Sequence, residues 1–343
     1  MKKLQIFALL ITTTFLSIGS KEVEGTPILE RKFGGRAGRS IISRGDNIPD
    51  FSIRKDSANF LLIYLHENKS IADFKRDTRL DDETVNNTVE LLISKNWLKE
   101  RNGKLIPTVF IATAEDGKRL FHYAQPISEQ IADEIEKVLP HIKAEFANTD
   151  MAKKQNFEHW SFLILSNVLL DSWVIFDVER NFLKCPDGKE YSRPLRHGKN
   201  YYASIMEQTE KDREPFGIYG NGITSWTEER EVSVYGNNRF STDCYRNLQS
   251  SKNTISVDDD WILQKMARGF FLPKLLKILE YNREYIEEVY RKTGYSETIS
   301  FGEFFIWWYH FIYTQATNEM NDRGILTIPA SGNFDFERLF INR

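Results

Sequence analysis

RPLRHGKNYYASI, residues 193–205, holds the side chains best suited to chemistry in this sequence. Arg193, Arg196, His197 and Lys199 gather positive charge beside the rings of Tyr201 and Tyr202. Guanidinium forks bind carboxylate and phosphate through paired N–H groups, and aromatic faces hold a cation above them. The run is therefore a candidate anion site. An exposed basic loop has the same composition and is its commoner use.

Other familiar chemistry is missing. No Gly-x-Ser-x-Gly nucleophile elbow occurs, and GGRAGRS has neither the spacing nor the lysine of a phosphate-binding loop. GIYGNGITS puts Ser225 where a dinucleotide fingerprint wants its third glycine. The six histidines, at 66, 122, 141, 159, 197 and 310, include no ligand-like pair three or four apart. Two cysteines, Cys185 and Cys244, are too few for a four-ligand zinc site. In an oxidising compartment they could form one disulfide, whose long loop would contribute roughly 4 kcal/mol in the chain-entropy model. Two free thiols fit equally well. Asp258, Asp259 and Asp260 look like metal ligands, but carboxylates at a helix start meet the positive end of its dipole, and capping is the expectation. The sequence thus assigns no catalytic residue, no metal and no cofactor.

The elements that must position any site begin with a leader. Lys2 and Lys3 precede an apolar run from Leu4 to Leu16 and a small-residue zone ending at Ser20. That is the layout of a signal peptide or N-terminal anchor over residues 1–20. Lys21, Arg31, Lys32, Arg36 and Arg39 follow, more positive charge than stands before the run. That bias leaves a membrane-tethered protein facing the cytoplasm as the alternative to export. Residues 21–55, with GGRAGR, Pro27 and Pro49, show no sustained period and read as a flexible linker.

From Ser57 the pattern changes. SANFLLIYLHEN reads as an amphipathic helix with a serine start, and Ser70 can cap IADFKRDT over residues 71–78. Asp81 opens a third helix, with Val85, Val89 and Leu92 recurring at core spacing. WLKERNGKLIPT then reads as a hairpin around Asn102-Gly103. Three helices followed by a hairpin resemble the winged helix-turn-helix superfamily of bacterial regulators, in the manner of ArsR-like and MarR-like domains, over residues 57–112. The resemblance implies a DNA-reading third helix, or the protein–protein contact for which the same fold is also used. AEDGKRLFHYAQPISEQIADEIEKVLPHIKAEF, residues 114–146, would supply the long helices that in such families mediate dimerisation, so self-association there is an expectation.

The third helix argues against DNA. Its outward face carries Glu83, Asn87, Glu90 and Ser94, with Asp81 and Asp82 at its start. Carboxylates between two phosphate rows are repelled, whereas a groove reader favours Arg, Lys, Asn and Gln. Lys75, Arg76, Arg79, Lys99, Arg101 and Lys104 are the phosphate contacts such a complex would use. The formal net charge of -3 gives no general nucleic-acid character.

At 343 residues the chain has room for two or three domains. The expected fold class is α+β: a winged-helix domain with its following helices over 56–150, a mixed, β- and turn-rich segment over 151–257, and a helical part over 258–343 packed against it. The helix of 256–295 should break near Gly269–Pro273. SFGEFFIWWYHFIYTQATNEMNDRGILTIP, residues 300–329, reads as a core helix running into a strand, since its aromatics surround it and do not form one stripe. The leading expectation is an exported or envelope-associated, non-enzymatic protein whose winged-helix module contacts another protein. A membrane-tethered or cytoplasmic DNA-binding regulator comes second. An enzyme with a site in residues 190–245 comes third. Membrane contact would be through the N-terminal segment alone.

Overall fold

The computed structural model describes residues 35–44, 47–184, 191–209, 219–226, 230–237, 253–330 and 337–342. The leader, Cys185 and Cys244 lie outside the described residues, and the disulfide expectation with them. The protein mixes helix and strand, as an α+β class requires.

Three helices open the helical part: α1 (Ala58–His66), α2 (Ile71–Thr78) and α3 (Asp82–Ser94). The Ser70 hydroxyl accepts the Asp73 amide while the Asp73 carboxylate accepts the Ser70 amide, so α2 starts on a reciprocal capping box. Asp81 caps α3 through the Thr84 amide. Ser57 is different: it sits at φ 57° and makes no side-chain cap bond. Nor is α1 amphipathic, because Ala58 through Tyr64 are all buried. The hairpin β2 (Leu98–Arg101) and β3 (Lys104–Pro107) turns at Asn102 and Gly103, with φ 54° and 71°. Both values are left-handed, which is why Asn-Gly suits a two-residue hairpin turn.

The linker expected over residues 21–55 is corrected where the structure begins. Gly35–Ser43 is a strand, β1, antiparallel to β6 (Lys199–Thr209) from Gly35↔Thr209 to Ser43↔Tyr201. β6 also pairs in parallel with β4 (Phe110–Ala112) and antiparallel with the short β5 (Leu195–Arg196). The glycines of GGRAGR suggested a tether, but SIIS behind them supplies a β-branched pair that two cores bury.

Strand alternation makes this sheet a wall between two cores. Ala37, Ile41, Ile111, Tyr201, Ala203 and Ile205 pack with α1–α3. Ile42, Phe110, Ala112, Tyr202 and Met206 pack on the opposite side. The core that α1–α3 share is completed by β1 and β6, from outside residues 56–150.

The larger core is helical. The 33-residue α4 (Ala114–Phe146) starts on a second capping box, between Thr113 and Asp116. Then come α5 (Asp150–Lys154), α6 (Phe157–Phe162) continuing as a π-turn through Leu163–Val168, and α7 (Ile175–Phe182). Ser256 caps α8 (Val257–Gln264), with Asp258, Asp259 and Asp260 in its first turn. A π-segment, Lys265–Phe271, lies where the break was expected, followed by α9 (Leu272–Tyr281) and α10 (Arg283–Lys292). The 22-residue α11 (Phe301–Asp322) buries every position from Gly302 to Thr314. No strand follows it directly over residues 325–330. A second sheet has the order β7 (Gly220–Trp226), β8 (Arg230–Gly236), β10 (Glu337–Asn342), β9 (Asn253–Ile255).

The inner stripe of α4, including Leu120, Ala124, Ile127, Ile131 and Ile135, is buried in the larger core. Ser128 Oγ hydrogen-bonds the Ile312 carbonyl and Trp308 Nε1 donates to the Leu120 carbonyl, locking α4 to α11. The apolar face through which 114–146 was expected to self-associate is thus used within the chain. Among the described residues no helix is long and apolar enough to cross a membrane.

Candidate functional site

The outward face of α3 is as its periodicity predicts. Val85 and Leu92 are buried and Val89 partly so, while Glu83, Asn87, Glu90 and Ser94 are exposed. Exposed Asp81 and Asp82 extend the acidic face at the helix start.

Of the six cations expected at phosphates, Lys75 and Arg76 are engaged by neighbouring carboxylates. Lys75 is ion-paired with Asp82 at the start of α3. Arg76 reaches Asp73 at 2.7 Å and Asp77 at 3.3 Å. Arg79 ends α2 in a left-handed conformation, φ 60°. Lys99 is half-buried and lines a 530 Å³ cavity with Thr108, Leu195 and Glu303. Of the set, Arg101 and Lys104 line a groove of 760 Å³. The missed signal was local, for Asp73 and Arg76 are three apart, a spacing that pairs charges on a helix.

That groove runs between the end of α1, the hairpin, the start of α4 and the turn around Gly294. His66 Nε2 lies 2.9 Å from Asp116 Oδ2 on its wall. The same oxygen accepts the Thr113 amide at 3.0 Å and the Thr113 hydroxyl at 2.9 Å, and Oδ1 accepts Arg119 Nη2 at 2.5 Å. Burial works to raise the Asp116 carboxyl. The His66 hydrogen bond and charge, with the Thr113 and Arg119 bonds, outweigh it and hold the group well below the usual carboxylate range. His66 is also stacked on Tyr295 at 6.1 Å, whose hydroxyl donates to the Ile111 carbonyl at 2.5 Å.

A histidine beside an ionised carboxylate supplies two members of a nucleophilic triad, and among the described residues of the groove the threonine hydroxyls are engaged elsewhere. The groove's threonine hydroxyls donate inward: Thr113 to Asp116, Thr293 to the Val289 carbonyl at 2.6 Å, Thr298 to the Tyr295 carbonyl at 3.2 Å. The groove is polar, with Arg101 and Lys104 at its hairpin edge. Sequence reasoning passed over His66 because its partner stands 50 residues away.

The basic run at 193–202 is dispersed, which corrects its reading as one anion site. Arg193 turns inward to Glu179, with Nε to Oε1 at 2.8 Å and Nη2 to Oε2 at 2.5 Å. Arg196 turns into a second, separate ion pair with Glu303 at 2.6 Å. The Tyr201 hydroxyl accepts Trp97 Nε1 at 2.8 Å, and the buried Tyr202 ring lies 5.2 Å under the Arg193 guanidinium. Lys199 begins β6, and His197 occupies the exposed turn before it at φ 47°. His197 lines neither that groove, nor the cavity beside Lys99, nor a third cavity at Arg193. The aromatic stacking was legible in the composition, but the inward turn of both arginines depends on Glu179 and Glu303.

Among the described residues no group of three or more His, Cys, Asp or Glu side chains could hold a metal ion. Asp259 Oδ1 accepts the Asp150 amide at 2.7 Å and Asp260 Oδ1 accepts Trp173 Nε1 at 3.0 Å, so two of the three aspartates tie α8 to its neighbours. The chain matches no family model, no curated protein and no solved structure.

Proposed function

We propose that residues 57–112 form a winged helix-turn-helix module, as their resemblance to ArsR-like and MarR-like domains suggests, and that it contacts a protein instead of reading DNA. The observation that carries this is the exposed face of α3, where Glu83 and Glu90 stand with Asp81 and Asp82 and no cation is interspersed. Two flanking cations, Lys75 and Arg76, are spent on Asp82, Asp73 and Asp77. A face of this sign repels phosphate rows and complements a basic protein surface.

The protein is read as exported or envelope-associated on its leader alone, with Lys2 and Lys3 before Leu4–Leu16. The helix-dimer reading through 114–146 is not carried forward, since the inner face of α4 is occupied by α11.

The test is a photo-crosslinker in place of Asn87 in the full chain, in its native cells. A discrete protein adduct is expected, lost on E83K/E90K and kept on a control such as K118E on α4. Fluorescence anisotropy with duplex DNA on the same full chain should show no binding at physiological salt. Tight, salt-dependent binding weakened by neutralising Lys104 and Arg101 would instead establish the DNA-binding regulator.

A further inference from the structure

A cavity of about 200 Å³ is bounded by Arg44, Glu179, Arg180, Tyr191 and Arg193. It brings together the end of β1, one face of α7 and the segment leading into β5. Arg193 is only 8% exposed, and although its Nε and Nη2 grip Glu179, its buried Nη1 has no hydrogen-bond partner. Arg44 Nε is likewise buried and without a partner. Both guanidiniums lie against the same ring, that of Phe176, with centroid distances of 5.3 Å for Arg44 and 5.0 Å for Arg193.

Among the described residues the charge around this ring does not balance. Glu179 answers Arg193, and Asp177 is shared between Arg180 and Arg268. Arg44 has no carboxylate among the described residues. Neighbouring buried cationic donors left unmet are costly, and an anion between them satisfies both. Other donors at the wall differ in what they can give. Asn47 and Asn200 spend Nδ2 on the Arg44 and Arg193 carbonyls, at 2.8 and 2.9 Å. The Tyr191 hydroxyl accepts the Gly302 amide at 3.2 Å, which leaves its own proton to donate.

We propose that this cavity binds a small oxyanion of the phosphate class, held between Arg44 Nε and Arg193 Nη1 with the Tyr191 hydroxyl as third donor. Several oxygens on one centre serve separated single donors better than a planar carboxylate, which suits a single bidentate fork. The site does not depend on the winged-helix reading.

The test is calorimetric titration of the full chain with inorganic phosphate, with glycerol phosphate and acetate as further arms. Saturable, one-to-one phosphate binding is expected, at least tenfold tighter than acetate. R44Q should weaken it by about tenfold or more, the loss of one charge-assisted hydrogen bond, with R44K intermediate and K277Q, on the exposed face of α9, unchanged. At the same phosphate concentration the thermal midpoint of the wild type should rise more than that of R44Q. Tighter binding of glycerol phosphate would identify the ligand as a monoester, and weaker binding as the free ion. Absence of saturation by both phosphates up to ~10 mM, well beyond the millimolar range of weak sites, overturns the proposal, as does an undiminished affinity in R44Q.

Discussion

Arg196 and Glu303, 107 residues apart, meet at 2.6 Å with side chains 3% and 1% exposed. The pair is a junction. Arg196 also donates to the carbonyls of Tyr201, at 2.7 Å, and Thr108, at 2.5 Å, while Glu303 Oε1 accepts the Ala203 amide at 2.9 Å. It thereby ties α11, β6 and the approach to β4 at one point. Burial pushes the Glu303 carboxyl above its ordinary value, and the Arg196 charge and hydrogen bond with the Ala203 amide oppose that. Removing one partner strands a buried charge, so Glu303→Ala is expected to cost about 3–5 kcal/mol in urea unfolding. The double variant R196M/E303L should recover part of that loss. A nearly neutral Glu303→Ala beside a costly R196M/E303L would show that the Arg196 bonds to the carbonyls, and not the ion pair, hold the junction.

Ile41 and Ile42 are neighbours that serve different cores. Ile41, 1% exposed, packs with α1–α3, and Ile42, 3% exposed, packs with the large helical core. Each replaced by Ala should cost about 2–5 kcal/mol, as for deleting a buried Ile side chain. A flexible tether would tolerate both changes within about 0.5 kcal/mol, so denaturant midpoints of the two variants separate the cases.

These positions mark where the sequence was readable and where it was not. Ser70, Asp81 and the Asn102-Gly103 turn carry their structure locally, because capping and turn geometry are fixed within a few residues. The α11 aromatics were readable as core because they encircle the helix. β1 was not readable, since its partner β6 begins at Lys199 and nothing near Gly35 announces it. The anion site was half legible. Arg193 was singled out by composition, but Arg44, Phe176 and Tyr191 come from distant segments that only the fold gathers. His66 and Asp116 were hidden for the same reason.

Asp171 gives the protein an expected pH dependence. It is buried between the π-turn and α7, and its Oδ2 has no hydrogen-bond partner. Burial raises its carboxyl from 3.8 to about 7, against a smaller opposing hydrogen bond from Tyr313. The folded chain then binds a proton that the unfolded chain has released, so stability falls as pH rises from about 4 to about 7 and levels off above. At about 1.4 kcal/mol per unit, the full loss is roughly 4 kcal/mol. Asp171→Asn removes the titration. It should match the wild type near pH 4 and exceed it at pH 8 in unfolding free energy. Parallel stability curves for the two proteins from pH 4 to 8 would show that Asp171 does not hold its proton.

Gly302 is set by Tyr191. A Cβ at residue 302 would come within 2.7 Å of Tyr191 Cδ1 and Cζ, and closer still to Cε1. The Gly302 amide meanwhile donates to the Tyr191 hydroxyl at 3.2 Å. The glycine therefore matters for close approach, at the first turn of α11, and the ring must move if a methyl group is added. Gly302→Ala favours the helix by up to about 1 kcal/mol in propensity, while overpacking costs roughly 1–3 kcal/mol. Overpacking should win by a small margin, measured in urea. Because Tyr191 also lines the cavity beside Arg44 and Arg193, G302A should weaken phosphate binding as Tyr191→Phe does. Tyr191→Phe keeps the ring and removes only the hydroxyl. If G302A destabilises the chain while both variants bind phosphate as the wild type does, the contact is one of packing alone.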